Sequence, residues 1–197
     1  MNHKNYVAFT VIFLLVFTSV RSQTIIKNKA VIKFQSSLQA GSLFGQSGTK
    51  PALTISTING VKFNQWFAGV GIGIDYYGLK RSIPLFAAVQ KNLSSKSNTF
   101  FLYGNAGHNF AWLKDAEKMK SVVNYNQTGG LFYDAGFGYK FKISRNNYFS
   151  ISAGYSFKEV KEKYAYPCIF CENYIPPTQT DNYKFRTVAI KFNWWFL

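Results

Sequence analysis

Hydrophobic and small or polar residues alternate along most of the chain, which is the pattern of β-strands with two unlike faces. In residues 66–77 (WFAGVGIGIDYY), one face is apolar with an aromatic ring at each end. The other face carries three glycines, Asp75 and two further rings. The same alternation recurs in 131–142, 149–158 and 187–196, and more weakly in 31–40, 52–63, 83–92 and 99–112. The pattern therefore predicts an all-β protein with eight strands.

The lengths of these segments and of their connections point to a membrane barrel. The segments hold about 10–14 residues, whereas strands of soluble proteins average about five or six, and about 9–11 residues cross a bilayer. Short connections (64–65, 93–98, 144–147) alternate with longer ones (41–51, 113–128, 160–182), and 78–82 is intermediate. This arrangement predicts an eight-stranded antiparallel up-and-down transmembrane β-barrel with both termini on the short-turn side. The alternative is a soluble secreted barrel or sandwich.

A barrel of this size has an interior that side chains fill. The glycine-rich faces should point inward, where they make room for the rings of Phe67, Phe86, Phe101, Tyr103 and Phe132. The same alternation places Asp75, Asp134, Lys33, Lys62, Lys140, Lys142 and Lys191 inside. Buried charges are normally paired, so we expect an interior salt-bridge network, with an anion-attracting pore as the alternative.

The first 22 residues predict export from the cytoplasm. A short positive start is followed by an apolar run from Val7 to Phe17 and by a small-residue exit that ends at Ser22. This is the layout of a secretory signal peptide, and the run is too short for a membrane anchor. We therefore divide the chain into a signal peptide, residues 1–22, and a barrel domain, residues 23–197, located in the cell outer membrane.

Composition narrows the picture further. Aromatic residues make up 19% of the chain and charged residues 16%, which excludes a disordered protein. The mean hydropathy of −0.08 excludes a polytopic helical membrane protein. The net charge of +15 would suit an anionic partner. Export argues against nucleic acid, so lipopolysaccharide phosphates are the expected anions for the loop residues Lys114, Lys118, Lys120, Lys161 and Lys163.

The chain ends in an aromatic strand, Lys191-Phe192-Asn193-Trp194-Trp195-Phe196-Leu197. With the signal peptide and the eight alternating segments, it resembles the small outer-membrane β-barrel proteins of Gram-negative bacteria. The stretches 69–76 (GVGIGIDY) and 83–86 (IPLF) are similar to the OmpA/OmpX-like outer-membrane β-barrel domain common in Bacteroidetes. The resemblance implies that the C-terminal aromatics are read by the barrel-insertion machinery. We expect the barrel to be a monomer. Phe192, Trp194 and Phe196 would carry that signal, although Leu197 departs from a terminal aromatic.

Two motifs carry candidate chemistry. Cys168 and Cys171 form a CxxC in the last long connection, where we expect a structural disulfide; free thiols and a redox or metal site are the alternatives. His108, the only histidine after residue 22, should face lipid, which invites comparison with outer-membrane lipid A deacylases. Their pattern places a serine two residues later, and here that residue is Phe110. We therefore expect no catalysis, no cofactor and no metal.

The outward loops are the expected functional surface. The connection 160–182 carries Tyr164, Tyr166 and Tyr174 among prolines and the cysteine pair, which favours a binding surface. The sequence thus predicts a structural or interaction barrel that meets outer-membrane lipid, lipopolysaccharide or another envelope protein. A lipid-modifying enzyme and a narrow pore are the alternatives. We also expect the terminal strand to matter more for assembly than the connection 160–182.

Overall fold

The computed structural model describes residues 32–45, 51–77, 80–112, 123–166 and 177–196. All regular secondary structure in these ranges is β-strand. The strands are β1 (Ile32–Phe44), β2 (Ala52–Phe63), β3 (Trp66–Tyr77), β4 (Lys80–Asn92), β5 (Thr99–Trp112), β6 (Val123–Lys142), β7 (Tyr148–Ala165) and β8 (Gln179–Phe196). Within these ranges, no helix is long and apolar enough to cross a membrane.

Each strand pairs antiparallel with the next, and β8 pairs with β1, so the sheet closes into a barrel. In the closing register Ser36 lies opposite Phe196, and Phe44 lies opposite Val188. The connections 64–65, 93–98 and 143–147 lie at the end of the barrel where β1 begins and β8 ends. At the tightest of these turns Asn64 has a φ of 54°, a left-handed conformation that asparagine tolerates. The predicted eight-stranded antiparallel barrel is confirmed.

The outer surface of the barrel is apolar. Val70 is 65% exposed, Phe137 62% and Ile55 58%, and every strand contributes at least one such side chain. We call these outward-facing apolar side chains the apolar belt. A soluble monomer rarely exposes so large a continuous apolar surface, whereas lipid satisfies it, and closure leaves no strand edge in the lipid. The barrel is therefore transmembrane, and the soluble alternative is wrong.

The interior contains the predicted rings. Phe67, Phe86 and Phe132 pack with Trp195 in one buried cluster. The inward glycines make this packing possible, because a Cβ added at Gly71 would lie 2.5 Å from ring atoms of Phe86. The expected orientation of the glycine-rich faces is thus confirmed.

Five strands are longer than the sequence pattern predicted. β1 continues to Phe44, β4 begins at Lys80, β6 begins at Val123, β7 continues to Ala165 and β8 begins at Gln179. The predicted connections 41–51, 78–82, 113–128 and 160–182 are therefore wrong at their strand ends. Backbone pairing continues past the level at which one face is apolar, so hydrophobic alternation disappears before the strands end. Residues 1–31, the basic residues Lys114, Lys118 and Lys120, the cysteines Cys168 and Cys171, Tyr174 and Leu197 lie outside the described residues.

Candidate functional site

Two ion pairs lie inside the barrel lumen. Lys158 on β7 pairs with Asp75 on β3, and the two side chains are 4% and 0% exposed. Lys191 on β8 pairs with Asp134 on β6. Each carboxylate has a further donor nearby, the Ser82 hydroxyl for Asp75 and the Tyr103 hydroxyl for Asp134, at 3.3 and 3.2 Å. Paired and hydrogen-bonded charges of this kind are the form in which a protein interior tolerates ions. The predicted interior salt-bridge network is present.

A third lysine is held by aromatic rings near the short-turn end of the lumen. The Lys140 ammonium lies 4.0 Å from the ring centroid of Trp195 and 5.8 Å from that of Tyr148, a cation–π arrangement. The indole N–H of Trp195 donates to the Ser150 hydroxyl at 3.0 Å. Of the other predicted inward lysines, Lys33 and Lys142 are exposed and Lys62 is half-buried at this mouth.

Little empty space remains between these groups. Two cavities in the lumen have volumes of about 10 Å³ each, one lined by Gln39, Gln90 and Asn193 and the other by Asp134, Lys158 and Lys191. A volume of roughly 10–15 Å³ holds a single water molecule. Over the described residues, the lumen is a packed polar core with room for isolated waters.

At the opposite end from the short turns, β6, β7 and β8 extend beyond their neighbours. β5 pairs with β6 as far as Gly130, and β1 pairs with β8 as far as Val188. Beyond those levels β7 still pairs with both of its neighbours, with Lys161 opposite Thr128 on β6 and Asn182 on β8. We call this three-stranded extension the projection; it comprises residues 123–129, 159–165 and 179–186. Short turns are periplasmic in barrels of this type, so the projection is extracellular.

Hydrogen bonds between side chains tie the inward face of the projection together. The Gln127 amide donates to the Glu162 carboxylate at 3.0 Å, and the Tyr164 hydroxyl donates to Asp181 at 2.8 Å. That hydrogen bond raises the pKa of Tyr164 above its ordinary value. Burial, followed by the charge of Glu162, raises the pKa of Tyr125 to about 12. Both phenols therefore keep their protons at neutral pH and remain hydrogen-bond donors.

The outward face of the projection is basic. Four cations follow one another along it: Arg186 and Lys184 on β8, opposite Phe157 and Glu159, and then Lys161 and Lys163 on β7, opposite Asn182 and Thr180. We call these four residues the basic patch. Glu159 lies among them, with its carboxylate 3.8 Å from the Lys161 ammonium and 2.7 Å from the donating amide of Asn182. Four cations and one anion leave this face with a net positive charge.

The structure places the predicted site residues in different surroundings. Tyr164 is a strand residue and is 8% exposed, so the expectation that it offers a loop surface is wrong; its ring packs against that of Tyr166, with centroids 5.4 Å apart. Tyr166 is 53% exposed. On the terminal strand, Phe192, Trp194 and Phe196 all face outward in the apolar belt.

His108 faces outward as predicted. Its ring lies 4.7 Å from that of Phe110, and its cross-strand neighbours are Leu85 and Leu131. Among the described residues, no group of three or more histidine, cysteine, aspartate or glutamate side chains could hold a metal ion.

Sequence reasoning missed the partner of Asp75 and half of the basic patch. The alternation in 149–158 puts Lys158 on the same face as Gly154, but nothing in the sequence pairs it with a residue 83 positions away. Lys184 and Arg186 precede the last segment that alternates clearly, so they were not assigned to a strand. Lys184, Arg186 and Val188 are each two residues apart, and residues at that spacing share one face of a strand. This spacing is the signal that could have placed both cations on the outward face with Val188.

Comparison with known proteins supports the fold. No protein-family model matches the chain, and no curated protein matches it. The outer membrane protein OprG from Pseudomonas aeruginosa superposes with a TM-score of 0.55 at 10% identity, over 83% of this chain and 95% of that one. The outer membrane protein AlkL, solved by solid-state NMR in lipid bilayers, gives a TM-score of 0.45 at 8% identity, over 89% and 94% of the two chains. The likeness to OprG shows that the chain has the fold of an outer-membrane barrel. With its apolar belt, the protein is an integral protein of the cell outer membrane.

Proposed function

We propose that the protein is an interaction barrel, in which the lumen is a structural core and the extracellular projection presents a binding surface to another component of the envelope. One observation carries the proposal: the inward face of the projection is cross-linked by hydrogen bonds from Gln127 to Glu162 and from Tyr164 to Asp181. A sheet held in this way loses little conformational freedom when it binds, so more of the contact energy remains as affinity.

Exposed groups suited to binding lie at the end of this sheet. Tyr166 combines a large exposed ring with a hydroxyl, and such residues are common among those that dominate binding energy. The expected partners are lipopolysaccharide and other envelope proteins on the outside, with the barrel-insertion machinery acting only during assembly. We expect a monomer that binds no nucleic acid and needs no cofactor.

A binding assay tests the proposal. The full chain, purified in detergent, is immobilised and exposed to lipopolysaccharide and to candidate envelope proteins. Tyr166→Ser should weaken the binding, whereas Tyr155→Ser, which removes a tyrosine of similar exposure from the apolar belt, should leave it unchanged. Heat-modifiable gel migration checks that both variants are folded. Equal binding by the two variants would remove Tyr166 from the surface, and no binding by the parent protein would overturn the proposal.

A narrow pore is the second candidate, because polar side chains line the small cavities of the lumen. Conduction would require the Lys191–Asp134 pair to separate, since both residues line one cavity and Lys191 also lines the other. Planar-bilayer recordings decide between the candidates. An interaction barrel gives no single-channel steps, whereas a pore gives steps that grow when Lys191→Met and Asp134→Leu are combined. The lipid-modifying enzyme has no observation in its favour among the described residues, because the neighbours of His108 are apolar.

A further inference from the structure

The lipid-facing surface of the barrel is not uniform. A groove of about 410 Å³ runs along the outer face of β1, and its floor is formed by Ala40 and Ser42. One wall consists of Leu53 and Ile55 on β2, and the other consists of Ile190 and Phe192 on β8. Two small side chains between two pairs of large ones produce the groove, because the strand register sets all six at the same level.

The groove lies in the extracellular half of the apolar belt. Along β1 it ends at Phe44, the last residue of the strand and the partner of Val188 on β8. Val188 is also the last apolar outward residue of β8, and the next outward residues on that strand are Arg186 and Lys184. The basic patch therefore begins where the groove ends.

The separation between the two features suits a single lipid molecule. Arg186 and Ile190 are four residues apart on one strand, which corresponds to roughly 13 Å. That distance leads from the headgroup level of a bilayer into its hydrocarbon region. A lipid whose chain lies in the groove would thus hold its polar head beside Arg186 and Lys184.

We propose that the groove and the basic patch together form one site for lipopolysaccharide, with an acyl chain over Ala40 and Ser42 and headgroup phosphates on Arg186 and Lys184. The charge of the patch favours a ligand with several phosphates, since Glu159 offsets only one of its four cations. The orientation of the barrel places the site in the outer leaflet, where lipopolysaccharide lies. The inference rests on the proposed function, for which it specifies where lipopolysaccharide binds, and it requires no protein partner for the projection.

Native mass spectrometry of the full chain in detergent measures the fraction of protein that carries added lipopolysaccharide. Replacing Lys184 and Arg186 together by Gln should weaken that binding by roughly thirtyfold, since each cation near a membrane surface contributes to anionic lipid binding. The matched control replaces Lys91 and Lys142 by Gln, which removes the same charge from the short-turn end of the barrel. The control variant should bind like the parent.

A second pair of variants tests the groove. Replacing Ala40 and Ser42 together by Leu fills the floor and should weaken binding several-fold, since chains pack against a membrane protein by close contact. Replacing Ala87 and Ala106, outward partners on β4 and β5, by Leu is the matched control. Heat-modifiable migration confirms that each variant is folded, and Arg186→Lys should retain binding.

The outcomes distinguish the parts of the proposal. Loss of binding in both test variants, with both controls intact, supports the combined site. If only one test variant loses binding, the single combined site is overturned. Equal retention of phosphatidylglycerol and lipopolysaccharide by the parent would overturn the choice of ligand. A protein that retains no lipopolysaccharide at all would overturn the site, whatever the projection binds.

Discussion

Lys158 on β7 and Asp75 on β3 form an ion pair although four strand positions separate their strands around the eight-stranded barrel. The two residues are 83 positions apart in the sequence, and both are buried. The second pair, Lys191 with Asp134, also joins strands that are not neighbours in the sheet. The lumen is thus held together across its width by charge as well as by packed rings.

Breaking the first pair should destabilise the barrel strongly. Asp75→Asn keeps the size of the side chain but leaves the Lys158 ammonium buried without its carboxylate, which should lower the free energy of unfolding by about 3–5 kcal/mol. Urea unfolding in lipid vesicles, followed by tryptophan fluorescence, measures the change. The double variant Asp75→Leu with Lys158→Met should recover most of the loss. A double variant as unstable as Asp75→Asn would show that packing rather than charge is responsible.

The space that inward glycines leave for the interior rings should also be important for stability. Gly71→Ala places a methyl group against the Phe86 ring and should lower the free energy of unfolding by about 1–3 kcal/mol. Gly104→Ala is the matched control, because a Cβ added there meets no atom within 4 Å. Combining Gly71→Ala with Phe86→Leu should restore part of the stability. Equal effects of the two alanine variants in the same urea assay would contradict the predicted role of Gly71.

Much of this fold follows from the sequence, because lipid and a crowded lumen impose opposite demands on alternate residues. Val70 and Ile72 lie in the apolar belt, and Gly71 between them lies under a ring, as the alternation predicted. The ends of β7 and β8 could not be found in this way. Above the belt, Lys161 points outward and Glu162 inward, so both faces are polar and the periodic signal vanishes while the backbone pairing continues.

The sequence also does not predict which charged residues pair with each other inside the lumen. Whether Asp75 and Lys158 lie at the same level of the lumen depends on the register of every strand pair between them. A single bulge shifts that level by changing the register of one pair. Such an irregularity occurs in β6 between Gly129 and Phe132. The charges inside the barrel were therefore predictable, whereas their partners were not. The groove on β1 was likewise not predictable, because it requires Ala40 to lie level with Ile55 and Phe192.

A tyrosine of the projection, Tyr164, and a tyrosine of the apolar belt, Tyr155, should respond differently to loss of the hydroxyl. Tyr164→Phe removes the hydrogen bond to Asp181, which should lower local stability by about 0.5–1.5 kcal/mol. Hydrogen exchange of backbone amides in residues 159–165 and 179–186 should then become faster. Tyr155→Phe removes the hydroxyl of an exposed tyrosine in the apolar belt and should leave the exchange unchanged. Equal exchange in both variants would mean that the Tyr164 hydrogen bond does not hold the projection together.

Variants of Trp195 and Phe196, which are adjacent on β8, should distinguish a folding defect from a targeting defect. Trp195 points into the lumen, where its ring packs against Phe67 with centroids 5.1 Å apart and lies beneath Lys140. Trp195→Ala should therefore cost about 3–5 kcal/mol and reduce both refolding in vitro and the amount in the outer membrane.

Phe196 points into lipid, so Phe196→Ala removes little packing and should refold normally in detergent. If its ring belongs to the signal for the barrel-insertion machinery, the outer-membrane level in cells should nevertheless fall.

Deletion of residues 195–197 should combine both defects, because it also removes the closing pairs of Ser36 with Phe196 and Ser37 with Trp195. Backbone groups left unpaired in lipid cost several kcal/mol each. Deletion of residues 168–175, outside the described strands, is the control and should preserve both readouts. Normal outer-membrane levels of Phe196→Ala would remove Phe196 from the insertion signal, and normal refolding of the 195–197 deletion would contradict the need for these closing pairs.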